Sequence, residues 1–296
     1  MLDFLKERYK MSNTLKGILL LLISAFGFSM MAAFIKLSGN LPSIQKTFFR
    51  NFISAIIAFI FVIYNRERLF GKKENQIHLI LRSSFGTLGI IAYFYAIDQL
   101  VLSDADMLNK LSPFLLIVFS SLFLKEKARP FQIITIIIAF LGSLFIIKPS
   151  FSVETTAYLI GLMSSVFSAI AYTFLRILGE KEKYYTIVFY FSFFSIIILT
   201  PFLIIFYKPM TLKQLTFLLL AGVFATLGQF GITLAYKFAP AKNISIFFYS
   251  TVLYSTIISI VLFKEIPGIF SFIGYVIILS SFIYMFMRGR NEFKVN

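Results

Sequence analysis

Apolar runs long enough to cross a bilayer alternate with short, basic connections along the whole chain. A helix needs about 20 apolar residues to span the hydrocarbon core. Runs of that kind fall at about 17–34, 47–64, 78–97, 106–124 and 131–147, and again at about 156–178, 186–207, 212–236, 241–263 and 269–287. Lipid offers backbone amides no partner, so each run reads as an α-helix that satisfies its own hydrogen bonds. The pattern predicts an all-α polytopic membrane protein with ten transmembrane helices.

Composition excludes the soluble classes: 59% of the 296 residues are hydrophobic and only 14% are charged. The net charge of +15 could suggest nucleic acid, but its placement does not. With the N-terminus inside, 20 of the 28 Lys and Arg fall on inside segments and their flanks, Arg82 among them. Seven fall outside and Lys110 lies within a span. That bias predicts cytoplasmic termini and an even number of spans. Segment 1–15 is charged and has no cleavable-looking signal, and segment 289–296 is a short basic tail. There is no Cys, hence no disulfide or thiolate site, and the single His78 reads as a surface group where a loop meets a span. No metal or cofactor is expected; membrane lipids and a small metabolite are the expected partners, with no nucleic acid.

The chain also repeats itself. At an offset of 139 residues FGTLG at 85–89 overlies FATLG at 224–228, and Lys125-Glu126 overlies Lys264-Glu265. At an offset of 140, Ser24, Phe34 and Lys36 fall on Ser164, Phe174 and Arg176. The units are 16–149 and 156–288. Five spans is an odd number, so the second unit enters the membrane from the opposite side. Inverted repeats of this kind are the sequence sign of a carrier whose site lies between the halves near the midplane.

Candidate chemistry crowds into 102–130. A helix starting near Ser103 places Asp104 and Asp106 in its first turn, where the dipole favours negative charge, and Ser103 with Asp106 has capping-box spacing. Asp106 and Lys110 stand four apart, acid first, the better order for an ion pair. Pro113 lacks an N–H and crowds the Asn109 carbonyl, which predicts a kink there. The functional reading is the wall of a wet cavity; the plain one is an interface cap with one satisfied buried pair. Elsewhere, Lys46 is expected to snorkel, while Arg50, a turn deeper, reads either as an anion contact or as the partner of Asp98, Asp104 or Asp106. Tyr93, Tyr95, Tyr172, Gln229, Tyr236, Tyr249 and Tyr254 are neutral polar groups inside spans and need partners. Glu126 and Glu265 close the fourth and ninth spans, either as headgroup anchors or as gate latches.

Pro42 with Arg50, the turn of small residues at 86–89, Leu111-Ser112-Pro113, Lys125-Glu126, Gln132 through Gly142, Gly161, Ala171-Tyr172, Ala225 to Gly231, Ala239-Pro240-Ala241 and Lys264-Glu265 follow one another in an order that resembles the EamA family of the drug/metabolite transporter superfamily, in two copies. The resemblance implies two inverted five-helix repeats around a central cavity, alternating access, and a solute among amino acids, nucleosides, nucleotide sugars or vitamins. Asp104, Asp106 and Lys110 depart from the family pattern. In the second copy Asn243, Ser245 and Tyr249 take their places, so charged recognition is expected on the first half.

The resulting expectation is a secondary transporter of a small polar or zwitterionic metabolite in a cell membrane of bacterial type. Arg50, Tyr93, Asp106, Asn109, Lys110, Tyr172, Gln229 and Tyr249 would face the solute; Asp98, Asp104, Pro113, Glu126 and Glu265 would gate or couple. A monomer or a homodimer would serve. The competing reading is an intramembrane enzyme or lipid-linked carrier subunit, for which Asp104-Ala-Asp106 is a weak two-acid metal motif. No catalytic nucleophile or His cluster supports it.

Overall fold

A computed structural model describes residues 13–123, 129–147, 153–179, 181–238 and 244–295. The first half consists of α1 (Asn13–Leu37), α2 (Ser43–Tyr64), α3 (Gln76–Gln99), α4 (Leu102–Asn109), α5 (Ser112–Phe123) and α6 (Pro130–Ile147). The second half consists of α7 (Val153–Gly179), α8 (Tyr184–Phe206), α9 (Leu212–Phe238), α10 (Ser250–Ile258) and α11 (Ile269–Val295). Among the described residues nine helical stretches are long and apolar enough to cross a membrane, with α4 and α5 together forming one of them. The shorter stretch Phe247–Phe263 supplies the tenth. Large apolar side chains such as Ile133, Ile134 and Ile137 point outward, as expected of a surface that lipid covers.

The two halves are packed through each other. α1 lies mainly on α9, and its counterpart α7 lies mainly on α3; α2 pairs with α8, α4 with α10 and α6 with α11. Exchanging the halves maps this set of contacts onto itself, which is what two inverted repeats require. Small residues permit the closest approaches. A Cβ on Gly27 would stand 2.9 Å from the Gly228 nitrogen, and the Ser24 hydroxyl donates to the Gly228 carbonyl at 2.6 Å. In the matching crossing, a Cβ on Gly89 would stand 3.1 Å from Ser168 Oγ.

The fourth and ninth spans are broken near the middle of the bundle. α4 ends at Asn109 and α5 begins at Ser112, so Pro113 sits in the first turn of a new helix and does not kink a continuous one. A missing N–H is harmless there. The Lys110 carbonyl, in the gap between α4 and α5, accepts the Tyr249 hydroxyl at 2.9 Å. Lys110 and Tyr249 are equivalent positions of the two repeats, so the broken spans meet at the internal axis. The capping box does not form either. Val101 occupies the cap position without a side-chain bond, and Ser103 accepts a hydrogen bond from Tyr275 at 3.0 Å. In the second half a 3₁₀ turn (Ser245–Tyr249) leads into α10, which passes into a five-residue π-helical turn (Ser259–Phe263). This ends in left-handed Lys264 (φ 56°), and the Glu265 N–H closes on the Ser259 carbonyl at 3.0 Å. Glu126 lies outside the described residues.

Candidate substrate site

At the level of the break, Asp106 is 1% exposed and accepts the Tyr93 hydroxyl through Oδ1; among the described residues Oδ2 has no partner. Ser255 stands beside it but donates to the Val252 carbonyl at 3.1 Å. Lys110 attracts Asp106 without closing the expected contact ion pair. The backbone between them keeps its helical turn, with the Lys110 N–H on the Asp106 carbonyl at 2.9 Å, but the ammonium turns to the Phe248 ring, 4.2 Å from its centre. Asn109 points to α7, donating to Ser164 at 3.0 Å and more weakly to Ser168 at 3.4 Å. Asp106, Asn109 and Lys110 therefore fan out from one helix end, Asp106 to Tyr93 on α3, Asn109 to α7 and Lys110 to the 3₁₀ turn ahead of α10.

Tyr172 on α7 continues the polar track: it lies within electrostatic reach of Tyr93 on one side and of Arg50 and Arg82 on the other, and it keeps partial exposure. Tyr249 is buried against the Phe282 ring, 4.1 Å between centroids, with its hydroxyl committed to Lys110. Gln229, half-buried on α9, shares no hydrogen bond with this group among the described residues.

Arg50 does not meet any of the carboxylates expected for it. Its guanidinium donates to Asn51, whose amide nitrogen donates to Ser195 at 2.7 Å. Facing it is Arg82, which lies 4.0 Å from the Phe191 ring centre. Sequence reading counted Arg82 as a cytoplasmic flank because it stands near the start of its span. The structure buries it to 4% exposure. A signal was present: Arg82, Gly86, Gly89 and Tyr93 share one helical face, and a small residue one turn after a buried arginine leaves room for the head group.

The remaining acids are tied to one end or one wall. Lys36, at the end of α1, donates to Glu265 at 2.5 Å and to the Leu100 carbonyl at 2.8 Å, joining the halves. Lys46 does not snorkel; it is fully buried and bonds Asp98 at 2.5 Å and the Ile35 carbonyl at 3.2 Å. Asp104 accepts from Tyr275, from Ser271 at 3.2 Å and from Tyr158 at 3.3 Å. These three partners lie in the second half, so it fastens α4 to α11 and α7. Glu265→Gln is expected to loosen the Lys36 closure. Because the chain has no Cys, a single Leu100→Cys reports it: maleimide labelling should be faster with Glu265→Gln than without, and equal rates would remove Glu265 as a gate residue.

Broken helices at an internal two-fold axis, with charged side chains at the break and helix pairs joining the halves around it, are the architecture of a membrane transporter built from two inverted repeats. The chain belongs to the EamA-like transporter family, whose sequence profile matches residues 15–148 and 155–287. It is 32% identical over 270 residues to the pseudopaline exporter CntI of Pseudomonas aeruginosa, covering 90% of this chain and 94% of that one. An uncharacterized transporter of Helicobacter pylori is 27% identical over 92% of this chain and 95% of its own. Human solute carrier family 35 member G1 is 25% identical over 90% of this chain and 77% of its own. A solved crystal structure shares the fold at a TM-score of 0.63 and 15% identity, covering 90% of this chain and 94% of that one.

Proposed function

We propose that this transporter moves a small polar or zwitterionic metabolite through a slot between its halves in a cell membrane, by alternating access. The observation that carries the reading is the polar track from Lys110 and Asp106 through Tyr93 and Tyr172 to Arg50, which places both charge signs between the repeats. Burying such groups in a bilayer is expensive, and ionisable groups that face the bundle interior commonly mark a solute or ion pathway. The Lys36–Glu265 contact supplies a closure at one end. Outward movement is proposed because a relative of 32% identity is named as an exporter. An intramembrane enzyme is disfavoured by the transporter names of the relatives. Purified protein in liposomes, screened with radiolabelled amino acids and small amino-dicarboxylates, should catalyse counterflow of at least one. Counterflow of none, with stable protein, would withdraw the solute class.

A further inference from the structure

We propose that Arg50, Arg82 and Tyr172 form an oxyanion subsite that holds a doubly charged end of the transported solute, either two carboxylates or one phosphoryl group. The inference rests on the transport reading above and names the charge its substrate carries.

Two guanidinium groups lie buried in the bundle, 2% and 4% exposed, close enough to repel one another. Among the described residues neither is paired with a carboxylate. Asp98 is taken by Lys46, Asp104 by Tyr275 and Ser271, Asp106 by Tyr93 and Glu265 by Lys36. The groups that do touch the arginines are neutral: Asn51 for Arg50 and the Phe191 ring for Arg82. The Nε of each arginine is buried without a hydrogen-bond partner. A buried charge left unpaired is strongly destabilising, and two of the same sign compound the penalty. Such a pair is retained most simply when a mobile dianion completes it, since each guanidinium presents a planar fork that matches carboxylate and phosphate geometry.

The backbone is shaped for this. A Cβ on Gly86 would stand 2.3 Å from Arg82 Nη1 and 3.0 Å from the Phe191 ring, so only glycine lets the guanidinium lie where it does. Tyr172, within electrostatic reach of both arginines and partly exposed, adds a hydroxyl donor. At the other end of the track, Asp106 is poised for an ammonium on the same molecule.

The test uses thermal unfolding of the purified, full-length protein in lipid nanodiscs, which needs no transport. The probes are glutarate, L-glutamate and inorganic phosphate, with cadaverine as a cationic control and ionic strength held with choline chloride. A ligand of the folded state raises Tm by mass action. A dose-dependent rise with glutarate and L-glutamate assigns carboxylates; a rise with phosphate alone assigns a phosphoryl group; no rise with any anion overturns the subsite. Arg82→Met should raise the ligand-free Tm, because it removes an uncompensated charge, yet weaken the anion response by roughly tenfold or more in apparent Kd. Gly86→Ala, which displaces the flexible head of Arg82 and crowds the edge of the Phe191 ring, should weaken the response while keeping the arginine in the chain. A fall in ligand-free Tm with an intact response in either variant would assign the arginine to structure and sink the proposal. Anion stabilisation without counterflow would instead leave the subsite standing and remove the transport reading.

Discussion

Asp104→Ala is expected to be the most destabilising single change at the junction of the halves, lowering stability by about 3 kcal/mol in reversible unfolding. The carboxylate is 1% exposed and collects hydroxyls from Tyr275 and Ser271 on α11 and from Tyr158 on α7. Alanine would remove the acceptor that Ser271 and Tyr158 share and take from Tyr275 the stronger of its two bonds, leaving the one to Ser103. A donor left buried without its acceptor incurs its full desolvation penalty, and charged acceptors make the stronger bonds. Asp104→Asn keeps two acceptor positions on its carbonyl oxygen and should lose less than half as much. Equal losses for the two variants would mean that charge, and not the acceptor count, holds α4 to the second half.

Asp106→Ala is the change expected to reduce transport most. Its Oδ2 is buried and unpartnered among the described residues while Oδ1 is held by Tyr93, so the side chain is fixed in position with one acceptor to spare. A solute ammonium at that oxygen would make a charge-assisted bond in a low-dielectric site, and its loss should slow counterflow by about tenfold to a hundredfold. Lys110→Ala should do less, because the lysine already rests on Phe248. Counterflow unchanged by Asp106→Ala would move the solute site away from the break between α4 and α5.

The separation of these two neighbouring aspartates into different tasks was not legible in the sequence. Spaced two apart at the start of a helix, they read as one acidic cap. In the structure they point to different partners, because residues two apart lie on nearly opposite helix faces. Likewise, the Asp106–Lys110 pair has the right spacing for an ion pair and keeps the helical turn between its members, yet the carboxylate takes the Tyr93 hydroxyl and the ammonium the Phe248 ring. Arg50 was identified from its depth; its neighbour Arg82 was not, because a charge near the start of an apolar run has the same sequence signature whether it reaches headgroups or turns inward. The anchoring role of Lys46 was misread for the same reason.

What the sequence by itself determined is the lipid-dissolved class, the ten crossings and the doubled plan of the chain. Hydrophobic length and the distribution of basic residues are local properties, and the bilayer acts on them segment by segment. Which charges meet was decided only by the tertiary structure. Pairing depends on crossings such as Gly27 on Gly228 and on a helix break placed between Asn109 and Ser112. A shift of one helical turn at the break would change which groups of the second half Asp104, Asn109 and Lys110 meet.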